Sequence, residues 1–190
     1  MSQNRTGSCL MKKFLFPLLL IFFSEKVFSM TIKGFYITKS GDTVYTEFII
    51  PEDFPVVTNF IKIIKDGKRT RLRSTEIKSF TMVGTRSQYT FTTFEQDNRH
   101  FFQEIVKGKL SLYNVYQRNI INQTANKIPV MVKNDEILYL SGINKRKVVA
   151  TLVEDCKEIF DKINDIKWFE TIPYLEIAKG YNACMDAVGP

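Results

Sequence analysis

Histidine and tryptophan each occur once in these 190 residues and cysteine three times, which removes much of the chemistry a chain of this length can carry. Any triad of nucleophile, base and orienting acid must run through His100. No HExxH helix, glycine-rich phosphate loop, EF-hand loop or paired CxxC occurs, so no residues are assigned to catalysis, to a cofactor or to a metal. Nor does any apolar run reach the roughly 20 residues that span a bilayer as a helix. Hydrophobic residues nevertheless make up 44% of the chain, enough for a sizeable core and too much for disorder.

The apolar run that does occur, Phe14 to Phe23, follows Met11 and the cations Lys12 and Lys13, and it ends at Ser24, Glu25 and Lys26. It reads as a secretory signal peptide rather than a span, with Val27 and Ser29 small enough for cleavage after Ser29. The rival is a buried N-terminal helix. Cys9 precedes the run, so a lipid anchor is not expected, and a start codon at Met11 instead of Met1 explains the ten residues before it most simply. The leader is placed at residues 1–29. Its loss removes Arg5, Lys12, Lys13 and Lys26 against Glu25, taking the net charge from +7 to +4 (7 − 4 + 1). So mild a surplus is weak evidence for any polyanionic partner, and no nucleic-acid partner is expected.

Exported chains meet oxidising conditions, and the two cysteines that remain, Cys156 and Cys184, then read as a disulfide. In NKRKVVATLVEDCKEIFDKI the positions Val149, Leu152, Val153, Cys156, Phe160 and Ile163 keep helical spacing, with Asn144 and Asp155 as candidate N-caps and a break near Asp155. In ETIPYLEIAKGYNACM, Thr171 can cap, Pro173 suits a first turn, and Tyr174, Ile177, Ala178, Tyr181 and Cys184 or Met185 share a face. The short NDIKWF link makes these helices an antiparallel hairpin that brings the cysteines together. A bridge across about 29 residues stabilises by roughly 3–4 kcal/mol. A two-thiolate metal site and a pair of free buried thiols are the rivals.

Residues 30–142 change character, with β-branched and aromatic runs between turn signals. Asp66-Gly67 suits a two-residue hairpin turn, and further turns are expected at Lys107-Gly108, at Asn134-Asp135 and around Ser40 to Asp42. Ser74 or Thr75 could start one helical turn presenting Ile77 and Phe80 to the core. YTFTTF reads as strand packing, with Phe91 on one face and Tyr89 on the other. Short connections without helical crossovers imply an antiparallel meander. The expected fold is therefore α+β: an antiparallel β meander over 30–142, then a helical hairpin over 143–190, packed as one domain.

Pairing Lys65 with Lys68 puts Ile61 and Ile63 beside Leu72 and Thr70, and puts Lys62, Arg69, Arg71 and Arg73 on the other face with Phe60 and Ile64. That basic stripe is a candidate contact for anions such as phosphate, acidic glycan or lipid head groups. It also suits a solvated face whose charges discourage edge pairing.

GFYITKSGDTVYTEF, KDGKRTRLRSTEIKSF, VKGKLSLYNVY, MVKNDEILYL, VEDCKEIFDKI and IAKGYNAC, in this order, resemble a family of uncharacterised exported proteins of the Bacteroidota. Lys157 departs from that pattern, in which a proline often follows the first cysteine. The resemblance implies a Gram-negative envelope or secreted protein and carries over no catalytic residues.

Among single residues, His100 has Asp97 close by in EQDNRHFF, a stretch that otherwise reads as a polar turn. Trp168 could stack a sugar or pack a helix junction. NQT at Asn122 matches a glycosylation sequon and reads as a polar turn. The functional expectation is an exported, non-enzymatic envelope or surface module, binding or structural, with an envelope or extracellular partner. A small secreted hydrolase is the alternative.

Overall fold

The computed structural model describes residues 30–51, 54–57, 59–118, 125–142, 144–167 and 171–187. The leader, Asn122 and Trp168 lie outside them. Ten strands form one antiparallel sheet: β1 (Thr31–Thr38), β2 (Thr43–Ile49), β3 (Phe60–Lys65), β4 (Lys68–Arg73), β5 (Ile77–Val83), β6 (Gln88–Phe94), β7 (Asp97–Val106), β8 (Ser111–Arg118), β9 (Ala125–Lys133) and β10 (Glu136–Tyr139). Three helices follow, α1 (Lys145–Leu152), α2 (Lys157–Asp165) and α3 (Tyr174–Ala187), so the α+β meander is present.

The sheet order is β10-β9-β8-β7-β6-β5-β1-β2-β3-β4. The chain builds outward from β1 to β4, returns to lay β5 on the other side of β1, and builds outward again to β10. Only Ser74, Thr75 and Glu76 join β4 to β5. Four strand spacings of a flat sheet are roughly 19 Å, whereas four residues reach at most about 14 Å. The five strands β5-β1-β2-β3-β4 must therefore roll up so that the end of β4 meets the start of β5. Ser74 holds the closure, its N–H donating to Asn59 O at 3.0 Å and its Oγ to Asn98 O at 2.6 Å.

Rolling encloses an aromatic core without help from helices: Phe48, Phe80, Phe91 and Phe101 are fully buried, with Ile61, Ile63, Leu72, Ile77 and Met82 around them. The Phe80 ring stacks on Phe91 at 4.7 Å and meets Phe101 edge-on at 4.9 Å. The same inward face continues across β7–β10, where Leu112 and Met131 pack under Val149, Val153, Ile159, Ile163, Ile177 and Tyr181 of the helical region. On the opposite face of these last strands Phe102, Tyr113, Val115 and Val130 form a third cluster.

The hairpin turns follow their residue chemistry. Asp66 and Gly67 have φ of 51° and 71°, and Asn134 and Asp135 of 50° and 65°, the doubly positive pattern of a type I′ turn. The turn expected at Lys107-Gly108 is present and spans four residues, Lys107 to Leu110, between β7 and β8. Other expectations need correction. Ile77 and Phe80 reach the core from a strand, not a helical turn. The β1–β5 register shifts between Ile37 and Thr38, pairing Ser79 with Ile37 and Ile77 with Thr38, so an extra residue converts period two into period three. Tyr89 and Phe91 share a face, both rings contacting Phe54, because residues two apart on a strand point the same way. The EQDNRHFF stretch is a two-residue turn followed by strand β7.

In the helical region the break falls as expected, but Cys156, not Asp155, is the N-cap of α2, and neither Asn144 nor Cys156 caps through its side chain. The Cys156 and Cys184 sulfurs are bonded at 2.12 Å, with 28 residues of sequence separation. None of the described helices is long and apolar enough to cross a membrane.

Candidate functional site

The hairpin register places the basic residues as the alternation requires. Lys65 faces Lys68, Lys62 faces Arg71, Ile64 faces Arg69 and Phe60 faces Arg73. Ile61, Ile63 and Leu72 point into the rolled core, so Lys62, Arg69, Arg71 and Arg73 lie together on the convex outside, all exposed. The Arg71 guanidinium carbon sits 4.9 Å above the Phe60 ring. Continuing the ladder, Ile64 pairs with Glu47 and Glu47 with Lys33, while Tyr45 pairs with Phe35. Between them lies an open depression of about 770 Å³ lined by Lys33, Phe35, Tyr45, Glu47, Ile64 and Val83. Tyr45 is 81% exposed, and its ring leans on Phe35 with centroids 5.9 Å apart.

His100 and Asp97 do meet, in the irregular start of β7. The carboxylate can only accept, so the His100 Nδ1 carries the proton and donates to Asp97 Oδ2 at 3.0 Å. The Arg99 N–H donates to Oδ1 at 3.1 Å, and the Tyr139 hydroxyl donates to Oδ2. Burial pushes the Asp97 carboxyl up, but the hydrogen bonds from Tyr139, His100 and Arg99 outweigh it and hold it below the ordinary carboxylate range. Burial, then the bond to Asp97 and its charge, push the Tyr139 phenol well up. Asp97 thus binds three donors and ties β7 to β10. Among the described residues no serine, threonine or cysteine hydrogen-bonds the His100 Nε2, so the contact supplies the orienting half of a triad without its nucleophile.

Two further polar clusters carry no sequence signal strong enough to find them. Lys133 Nζ donates to Leu152 O at 2.6 Å and to Asp155 Oδ2 at 2.9 Å, and lies 4.8 Å from the Tyr181 ring centroid; the Tyr181 hydroxyl donates to Asp155 Oδ2 at 2.8 Å. The cation thereby satisfies a carbonyl at the end of α1, where the helix dipole favours it. Burial would lower the Lys133 ammonium, but Tyr181 and Asp155 raise it; burial would raise the Asp155 carboxyl, but Lys133 and Tyr181 lower it.

The second cluster is the Asn182 amide, which brackets one residue of the β7–β8 connection. Its Oδ1 accepts from Leu110 N–H at 2.8 Å and its Nδ2 donates to Leu110 O at 3.0 Å. Lys109 Nζ adds a bond to Met185 O at 2.7 Å. Mid-helix asparagine is the available hint, since its side chain competes for backbone partners.

No group of three or more histidine, cysteine, aspartate or glutamate side chains able to hold a metal occurs among the described residues. The polar clusters around Asp97, Asp155 and Asn182 are consumed by the fold, whereas the convex face of β1–β4 presents charge and aromatic surface outward. In comparisons with known proteins, no family model, no curated protein and no solved structure matches the chain.

Proposed function

We propose that the chain is an exported, non-enzymatic module of the cell envelope or surface that works by binding. The observation that carries this reading is the Cys156–Cys184 bond. Cys156 is only 1% exposed, and such covalent staples persist in oxidising compartments and are rare where thiols are kept reduced. The signal-like leader from Met11 supports the same placement. Binding is favoured over catalysis because the best acid–base pair, Asp97 and His100, is engaged in joining β7 to β10 through Tyr139.

Mass spectrometry of the protein from its native host tests export. The expected result is removal of residues 1–29 and protection of both thiols from alkylation until reductant is added. An intact leader with both thiols freely alkylated would overturn it. The hydrolase reading draws on the Asp97–His100 bond alone. It predicts an esterase or glycosidase activity abolished by His100→Ala in protein that still folds; an activity panel that this substitution leaves unchanged removes it.

A further inference from the structure

We infer that the convex face of β1–β4 binds a linear acidic polysaccharide, carrying sulfate, phosphate or uronate groups. The inference rests on the export reading, which places glycans rather than nucleic acids in reach. Outward-facing positions on these four strands hold five cations, Lys33, Lys62, Arg69, Arg71 and Arg73, against one carboxylate, Glu47. Their net +4 equals the charge of the whole chain without residues 1–29 (7 − 4 + 1). The remaining charges of that chain sum to zero, and a net +4 on one face of four strands draws an anionic partner to it.

The spacing suits a polymer more than a single ion. Alternate positions on β4 set Arg69, Arg71 and Arg73 about 6.7 Å apart along the strand, and Lys62 stands across the ladder from Arg71 at about 5 Å. The Arg71 guanidinium carbon lies 4.9 Å from the Phe60 ring centroid, a contact that leaves N–H groups for the two-pronged bonds that carboxylate and sulfate accept.

Beside this row Tyr45 is 81% exposed and is held against Phe35. It is a rigid aromatic plane with a polar tip, on which the C–H face of a sugar ring can rest while its acidic group reaches Arg69 or Lys33. A bilayer is the poorer fit. The large apolar side chains that stand well exposed here are Tyr45 and Val83, both on strands, and neither forms the broad apolar face that seats a protein in the acyl boundary.

The test is fluorescence anisotropy of the oxidised protein with labelled heparin and alginate fragments. Dextran, oligodeoxythymidine and phosphatidylglycerol vesicles serve as comparators. Both acidic glycans should bind and the comparators should bind at least tenfold more weakly. With four cations in contact, affinity should fall about 50-fold between 50 and 200 mM salt, taking a log–log slope near −0.7 per contact. Replacing Lys62 and Arg71 together by serine should halve that slope. Tyr45→Ala should weaken binding about tenfold and leave the slope unchanged.

Failure to bind either acidic glycan, equal or tighter binding to the oligonucleotide or to vesicles, binding of dextran, or indifference to Tyr45→Ala would each overturn the inference. Leader removal and thiol protection are measured separately. Loss of glycan binding with those intact overturns the ligand and leaves export standing; the reverse pattern overturns export alone.

Discussion

Gly34 makes two lines of physical reasoning disagree in sign. It lies within β1, paired with Thr46 on one side and Met82 on the other, and its backbone does not occupy the left-handed region. Strand propensity alone says that alanine there should stabilise, because glycine loses more chain entropy on folding, a gain of about 0.4–1 kcal/mol. The structure says the opposite. A Cβ at this position would stand 2.0 Å from Thr81 O and 2.9 Å from Phe48 Cε2.

Phe48 is itself fully buried against Phe80, and Thr81 O is backbone of the neighbouring strand β5. Relief requires moving β5 against β1 by about an ångström, an overpacking cost of about 1–3 kcal/mol and at the upper end here because backbone is involved. The net expectation for Gly34→Ala is a loss of about 2 kcal/mol. With a urea m-value near 2 kcal/mol/M, the unfolding midpoint should drop by about 1 M. Adding Phe48→Leu should not restore it, since the closer clash is with the carbonyl. A midpoint that stays level or rises in Gly34→Ala would refute the packing argument and return the position to propensity.

Three further outcomes follow from contacts already described. Replacing Cys156 and Cys184 together by alanine should cost about 3.5 kcal/mol, from the closure entropy of roughly 29 residues, and lower Tm by about 7–14 °C; reductant should then have no further effect in a thermal melt. Asn182→Ala removes two hydrogen bonds to Leu110 and should cost about 1–3 kcal/mol, read by urea unfolding, and should speed hydrogen exchange of the Leu110 amide. Asp97 has a folded-state pKa held below its ordinary 3.8, so its contribution is complete above that value and is lost as pH falls through the lower folded one. Asp97→Asn should therefore flatten the acid limb of the stability curve below about pH 4, and an unchanged limb in circular-dichroism titrations would count against the bonds from Tyr139 and His100.

What was legible in the sequence was local. Asp66-Gly67 announced its turn because two positive φ angles are cheap for those residues, and once the turn is placed, alternation assigns Lys62, Arg69, Arg71 and Arg73 to one face without further information. The helices declared themselves through period, and the pairing of Cys156 with Cys184 through the brevity of the link between α2 and α3.

The partnership of β5 with β1 left only a disguised trace, the Ile77 and Phe80 spacing, which a bulge makes indistinguishable from a helical turn. Asp97 with Tyr139, 42 residues on, Lys133 with Asp155 and Tyr181, and Asn182 with Leu110, 72 residues back, are contacts that no periodicity encodes. They exist only after the sheet has chosen its order. For the candidate binding face the cations could be read directly, but the exposure of Tyr45 could not, because an outward aromatic looks like any other strand residue until its neighbours are known.

The three-residue link between β4 and β5 also bears on the order in which the molecule can come into being. A chain leaving a ribosome or threading a pore presents its amino end first, and by Phe101 it already holds every strand of the self-enclosing barrel-like half and all four of its buried phenylalanines. That half can set while the later strands and helices are still arriving. Oxidation of the sulfurs near the carboxyl end then becomes a closing stitch on a garment whose body is already sewn, and a reducing surrounding would unpick the hem before the cloth.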